Sequence, residues 1–233
     1  MIKNVIMDLG NTIIKNIEFD FKKGLSIVYQ QLITKKMSEK AFIQQGYVLM
    51  KQMYQNRHLD NIEVPFKTYL QKLEDVLGVN YNQSYEVLEL TIYKNCVKDE
   101  LIQDAFAFLM FAKAYGLSIY VYSNSTFSKK VLMTTLDQFN ISSYICGLYS
   151  SSDVGMRKPS SAFFFQTPPS KKLNNEECLF VGNDDYDDRL FAKAIQIKFC
   201  WYNVDQKKRD YSDVSLDFAS YNDLKEYITT YDK

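Results

Sequence analysis

The chain has 233 residues, 46% of them hydrophobic and 24% charged, with 28 Lys+Arg set against 28 Asp+Glu. That is enough chain for one good-sized domain, or for a core domain with a smaller insertion. A balanced charge argues against nucleic-acid binding, which calls for a basic surplus or stripe, and the longest apolar stretches are too short to span a bilayer. The four cysteines, Cys96, Cys146, Cys178 and Cys200, are scattered with no CxxC pair. They read as structural thiols of a reducing compartment. With no basic-then-apolar leader at the N-terminus, a cytoplasmic protein is expected.

In chain order, Val5–Met7 reads as a first strand, short and apolar. Residues 17–97 then break any strand rhythm, and Phe21–Leu32, Glu39–Tyr54, Pro65–Leu77 and Tyr85–Tyr93 have helical length and spacing. Lys98–Tyr115 is a predicted helix stopped by Gly116, followed by a strand at Leu117–Tyr122 and a helix at Ser128–Phe139. Tyr144–Tyr149 is a weaker strand. Lys171–Glu177 is a polar loop, and Cys178–Val181, Asp187–Ile195 and Ile197–Tyr202 read as strand, helix and strand. Alternating strands and helices imply a Rossmann-like, doubly wound parallel sheet. The expectation is an α/β fold with a core at 1–16 and 98–233 and an inserted all-helical cap at 17–97. Numbered in chain order, its five parallel strands run 5-4-1-2-3.

In such sheets ligands bind beyond the carboxyl ends of the strands, so the residues following each strand matter. These are Asp8-Leu9-Gly10-Asn11-Thr12, Ser123-Asn124-Ser125, the loop Gly155-Met156-Arg157-Lys158-Pro159, and Gly182-Asn183-Asp184-Asp185-Tyr186-Asp187-Asp188. A carboxylate beside clustered Asp and Asn oxygens suits Mg²⁺. A lysine, a hydroxyl and backbone N–H groups suit a transferring phosphoryl group, and a carboxylate can itself be the nucleophile.

These four segments, in this order, resemble the haloacid dehalogenase superfamily, in the subfamily with a helical cap after the first motif. The family pattern is a strand ending D-x-D-x-T/V, a strand ending in Ser/Thr, a Lys-Pro loop and an acidic G-D motif. The resemblance implies that Asp8 is the nucleophile and a metal ligand, with Gly10 lending its backbone carbonyl to the metal. Ser123 would hold phosphoryl oxygens, and Asn124, Gly10 and Asn11 would help bind the phosphate. Lys158 would stabilise the charge shared by Asp8 and the phosphate, and Asn183, Asp184 and Asp188 would complete a Mg²⁺ shell. The implied activity is hydrolysis of a small phosphorylated metabolite through an aspartyl-phosphate.

Two departures from the family pattern stand out. Gly10 replaces the Asp that serves as general acid/base two residues after the nucleophile, and Asn183 replaces the first Asp of the acidic motif. They motivate one rival reading, an impaired member that binds a phosphorylated ligand or a protein partner. True haloacid dehalogenation is a second rival, which the resemblance disfavours because those members tend to carry an aromatic residue at the place of Gly10. His58, the single histidine, reads as a surface residue. Neither the substrate nor the oligomeric state is readable.

Overall fold

The computed structural model describes residues 1–231. At its centre β1, Asn4–Met7, is buried on both faces over Val5–Met7, as that apolar run requires. Val5 and Met7 face a large core shared with the helical insertion, while Ile6 faces a second core with Phe163, Phe180, Phe191 and Trp201.

After β1 the chain runs through β2 (Ile14–Phe19) into four longer helices, α1 (Phe21–Gln30), α2 (Glu39–Tyr54), α3 (Phe66–Leu77) and α4 (Tyr85–Cys96), with a single helical turn at Arg57–Asp60 between α2 and α3. It returns through β3 (Val97–Leu101) to α5 (Gln103–Tyr115), β4 (Ser118–Ser123), α6 (Lys129–Gln138) and β5 (Gly147–Ser150). The remainder is β6 (Cys178–Gly182), α7 (Asp187–Ala194), β7 (Lys198–Tyr202), β8 (Val214–Phe218) and α8 (Tyr221–Tyr231). One six-stranded sheet has the order β5-β4-β1-β6-β7-β8, with every neighbouring pair parallel. This is the expected order with one strand added at an edge. No described helix is long and apolar enough to cross a membrane.

The sequence reading has no element at β8, whose exposed face carries Ser215 and Asp217 and whose register against β7 shifts between Phe199 and Cys200. Nor did it find β2 and β3. These pair antiparallel across both expected limits of the helical insertion, with an irregularity between Asn16 and Glu18. The helix expected from Lys98 accordingly starts at Gln103, because Val97–Leu101 is committed to β2 and the Ile102 amide donates to the Ile13 carbonyl. Both strands are short, β2 is mostly exposed and β3 alternates half-buried with exposed charged residues, so no apolar run betrays them.

Local signals explain the helices of the insertion. Asp20, Ser38 and Ser84 cap α1, α2 and α4 by accepting from the amides of Lys23, Ala41 and Val87. Gly78 ends α3 in the left-handed conformation. The insertion is tied to the core at several places besides β2 and β3. Glu89 of α4 accepts from the Ser128 amide at 2.8 Å and its hydroxyl at 3.0 Å, capping α6 from a distance. The Glu63 amide donates to the Gly155 carbonyl, the Arg157 amide donates to the Asn61 carbonyl, and Ile62 forms an isolated antiparallel bridge with Met156.

Phe127, in the loop after β4, is the apolar counterpart of these ties. Its ring lies 5.1 Å from Phe66, 4.9 Å from Tyr93 and 5.5 Å from Phe19. Truncating such a buried ring leaves a cavity between the two parts. Phe127→Ala is expected to destabilise the protein by about 3 kcal/mol, read as a lowered midpoint in urea unfolding, and to loosen proteolytic protection at the insertion before the sheet.

Candidate active site

The carboxyl ends of β1, β4 and β6 open onto a cleft of about 1180 Å³ that reaches under the helical insertion. Asp8 follows β1 directly, and its amide donates to the Val181 carbonyl at 2.9 Å, which fixes the strand end. The turn after it is closed by the amides of Thr12, Ile13 and Ile14, all donating to the Leu9 carbonyl. The Gly10 carbonyl stands outside those bonds.

Lys158 is the organising group. Its side chain is 2% exposed, and its ammonium donates to Asp8 Oδ1 and to Asp188 Oδ1, each at 2.5 Å. Burial works against the charge, but Asp188 and Asp8 outweigh it and hold the ammonium above the usual lysine range. Burial pushes the Asp188 carboxyl upward, and Lys158 offsets only part of that rise. Space for Asp188 comes from Gly182, where a Cβ would overlap its carboxylate. Its other oxygen, Oδ2, accepts from the Asp184 amide at 3.0 Å.

Asn124 positions the lysine. Its Oδ1 accepts from the Lys158 amide at 2.7 Å, and its Nδ2 donates to the Lys158 carbonyl at 3.0 Å and to Asp187 Oδ2 at 3.1 Å. The expected phosphate-binding amide is thus engaged with the lysine loop. Ser123, at the end of β4, lines the cleft, as do Gly10, Asn11, Asn183, Asp184 and Asp188. Asn11 takes a positive φ of 56° and accepts from the Asn16 amide at 3.3 Å, so it shapes the turn.

The expected metal ligands do not all converge. Thr12 Oγ1 lies 3.3 Å from Asp8 Oδ2 and 3.2 Å from Asn183 Oδ1. One hydroxyl proton cannot satisfy both, which leaves two hard oxygens side by side next to the Gly10 turn. This set suits Mg²⁺ in kind, with Asp8 as its one carboxylate. Asp184 Oδ1 instead accepts from the amides of Tyr186 and Asp187 at 2.8 and 2.7 Å, and Asp188 is committed to Lys158. Among the described residues no group of three His, Cys, Asp or Glu side chains is gathered for a metal.

Beside Gly10 the missing general acid leaves no vacancy. A Cβ there would stand 2.6 Å from Asn16 Oδ1, and Asn16 Nδ2 is held by Asp99 Oδ1 at 2.7 Å. Tyr93 donates to the other Asp99 oxygen at 2.9 Å. Sequence reasoning missed this pair because Asn16 and Asp99 lie on the two unrecognised strands. It also missed Glu63, whose buried carboxylate accepts from Arg157 at 3.1 Å, Ser151 at 2.8 Å and Arg57 at 3.4 Å. Thr12 was within the quoted first motif, but its contact with Asn183 has no local signature. His58 is exposed, and all four cysteines are free, three of them buried.

Comparison with known proteins agrees with this geometry. Residues 5–202 match the family model for the haloacid dehalogenase-like hydrolases. Among solved structures, a 2-haloacid dehalogenase from Pseudomonas syringae pv. Tomato DC3000 aligns with TM-score 0.64 at 17% identity, over 99% of this chain and 100% of that one. A HAD phosphatase from Thermococcus onnurineus gives 0.62 at 18%, over 97% and 98%. The magnesium-bound HAD-hydrolase YfnB from Bacillus subtilis gives 0.58 at 15%, over 97% and 98%. At these identities the likeness is one of fold, and a search of curated proteins gives no match. The family model spans most of the chain and covers the strand ends that carry Asp8, Ser123, Lys158 and Asp188, so this protein belongs to the haloacid dehalogenase-like hydrolases.

Proposed function

We propose that this hydrolase is a Mg²⁺-dependent phosphatase acting on a small phosphorylated metabolite through an aspartyl-phosphate on Asp8. The observation that carries the reading is the division of Asp8 between two tasks. Lys158 holds Oδ1, while Oδ2 lies with Asn183 Oδ1 around the Thr12 hydroxyl. The lysine contact alone would serve either a phosphatase or a dehalogenase; the adjoining hard oxygens are what favour a reaction that uses Mg²⁺.

In this mechanism the Asp8 carboxylate attacks phosphorus, and the bond from phosphorus to the substrate oxygen breaks with inversion. Lys158 and Ser123 stabilise charge on the phosphoryl oxygens as it develops. Mg²⁺, held by Asp8, the Gly10 carbonyl and Asn183, would supply charge neutralisation there. Water then attacks the acyl phosphate, releasing phosphate and restoring the Asp8 carboxylate. Asp188 and Asn124 touch no reacting atom; they hold Lys158 in place. Gly10 carries no acid, so the departing alkoxide takes its proton from solvent.

Three outcomes test this reading. Asp8→Asn should lower turnover of aryl phosphates by at least about 1,000-fold with the fold retained by circular dichroism but a lowered melting temperature, because buried Lys158 loses one of its two carboxylates, and retained turnover in that variant would refute covalent catalysis. Chelation should abolish activity, and Asn183→Asp should reduce the Mg²⁺ concentration for half-maximal rate, because a carboxylate adds charge to the shell.

The third concerns the proton. Wild-type rates should fall steeply with leaving-group pKa. General acid assistance is worth about 100- to 10,000-fold, yet Gly10→Asp alone meets Asn16, which Asp99 holds in place. The double variant Gly10→Asp with Asn16→Ala should therefore accelerate alkyl phosphates well beyond the single variant and flatten the leaving-group dependence. If wild type turns over no phosphate ester but binds Mg²⁺ and a phosphorylated ligand, the protein is a binding member of the family.

A further inference from the structure

A carboxamide has one accepting and one donating end, and whatever holds one end decides what the other can do. Asn16 sits on β2 directly opposite Asp99 on β3, where the register irregularity between Asn16 and Glu18 begins. Irregularities of this kind re-aim side chains and are frequent beside active sites. Both residues line the cleft that holds Asp8, and Asn16 is exposed there. The Asn16 backbone is pinned as well, its amide donating to Asn11 Oδ1 at 3.3 Å in the turn after the nucleophile.

The Asn16 amide is oriented by a chain of donors that runs one way. Thr135 of α6 donates to the Tyr93 hydroxyl at 2.9 Å, and Tyr93 of α4 donates to Asp99 Oδ2 at 2.9 Å. Asn16 Nδ2 donates to the other oxygen, Asp99 Oδ1, at 2.7 Å. Burial holds the Tyr93 phenol above its usual range, so it stays a donor. A carboxylate only accepts, so Asp99 takes the nitrogen end of the amide and turns Oδ1 toward Gly10. There the oxygen fills the space of an absent side chain, since a Cβ on Gly10 would stand 2.6 Å from it. Among the described residues no protein donor meets Asn16 Oδ1. A bare acceptor repels a phosphoryl oxygen, and the hard oxygens suited to Mg²⁺ gather around Thr12 instead. What it can hold beside the nucleophile is a proton-bearing molecule, above all water.

We infer that Asn16 positions the water that hydrolyses the aspartyl-phosphate, and that Asp99 and Tyr93 hold its amide in the competent orientation. This rests on the phosphatase reading above. In that step the water donates one hydrogen bond to Asn16 Oδ1, which aims its lone pair at phosphorus. The water oxygen bonds to phosphorus, and the bond from phosphorus to the Asp8 oxygen breaks, its electron pair returning to the carboxylate. One water proton stays on the new phosphorus-bound hydroxyl and the other passes to a phosphoryl oxygen, so dihydrogen phosphate leaves. An amide takes up no proton, so Asn16 orients the water without titrating, and Asp99 is a positioning residue that acts through it.

The test separates the two halves of the reaction with 4-nitrophenyl phosphate and Mg²⁺ in rapid-mixing experiments. Nitrophenolate release reads formation of the phosphorylated protein, while phosphate release and the intact mass of quenched protein read its decay. Asn16→Ala should slow decay by about 10- to 100-fold and formation far less, so that phosphorylated protein accumulates. Asp99→Asn offers Asn16 a donor as well as an acceptor and so lets its amide turn over. It should slow decay by about 3- to 10-fold and leave the shape of the pH profile for decay as in wild type.

If wild type releases phosphate and Asn16→Ala leaves decay unchanged, or slows formation and decay alike, Asn16 has no role in placing the water, and the phosphatase reading stands. Loss of a limb of the pH profile in Asp99→Asn would make Asp99 itself the proton-transfer group and overturn the positioning role, again with the phosphatase reading intact. A wild type that neither becomes phosphorylated nor releases phosphate overturns both together.

Discussion

One buried ammonium orders this molecule. An isolated lysine at 2% exposure would be untenable, because desolvating a charge is far more costly than any single contact can offset. Lys158 is held there because carboxylates from two strand ends meet it, Asp8 after β1 and Asp188 at the start of α7 after β6. The pairing works in both directions. Asp8 and Asp188 could not lie so close without a cation between them, and Lys158 could not stay charged without both. The sheet order puts β1 next to β6, so the arrangement depends on the topology as much as on residue identity.

The support for that lysine is itself layered. Asn124 grips both the amide and the carbonyl of Lys158, and the same side chain reaches Asp187. Arg157, the next residue back along the chain, is paired with Glu63 from the helical insertion. A catalytic group placed this way has few conformations to choose from, which is what preorganised electrostatic stabilisation demands. The acidic loop after β6 is used mainly for architecture. Asp184 closes its own turn, Asp187 orients Asn124, and Asp185 accepts from Arg209 and Tyr211 of the loop before β8.

How much of this was legible in the sequence follows from range. Five of the six sheet strands and the helices as far as α7 could be read, since buried runs such as Cys178–Val181 and caps such as Ser38 and Ser84 are local signals, whereas α8, like β8 before it, was not. The motif residues could be read as a set because each follows a strand, and a parallel sheet brings strand ends together. Short exposed strands could not: β2 and β3 gain their order from each other, not from an apolar pattern. Nor could the partners of Asp188 and Asn124. Both looked like ligands for a metal or a phosphate, and only the fold reveals that their donors and acceptors are engaged with Lys158. Glu63 was the least readable, because its partners lie 88 and 94 residues away and no motif frames it.

The short bridge between residues 61–63 and 155–157 has a consequence for modularity. Insertions of this kind are often thought of as exchangeable accessories, joined to a host domain only where the chain enters and leaves. Here the accessory also exchanges backbone bonds with the very loop that carries Lys158, and Glu63 buries its charge against Arg157 inside that loop. Changes on either side of the bridge are therefore physically coupled, and a change of length in one segment alone breaks these bonds. A chimaera that transplants a relative's insertion onto this sheet must carry segment 155–157 with it, or leave the buried Arg157 with only the distant Asp187 carboxylate as its partner.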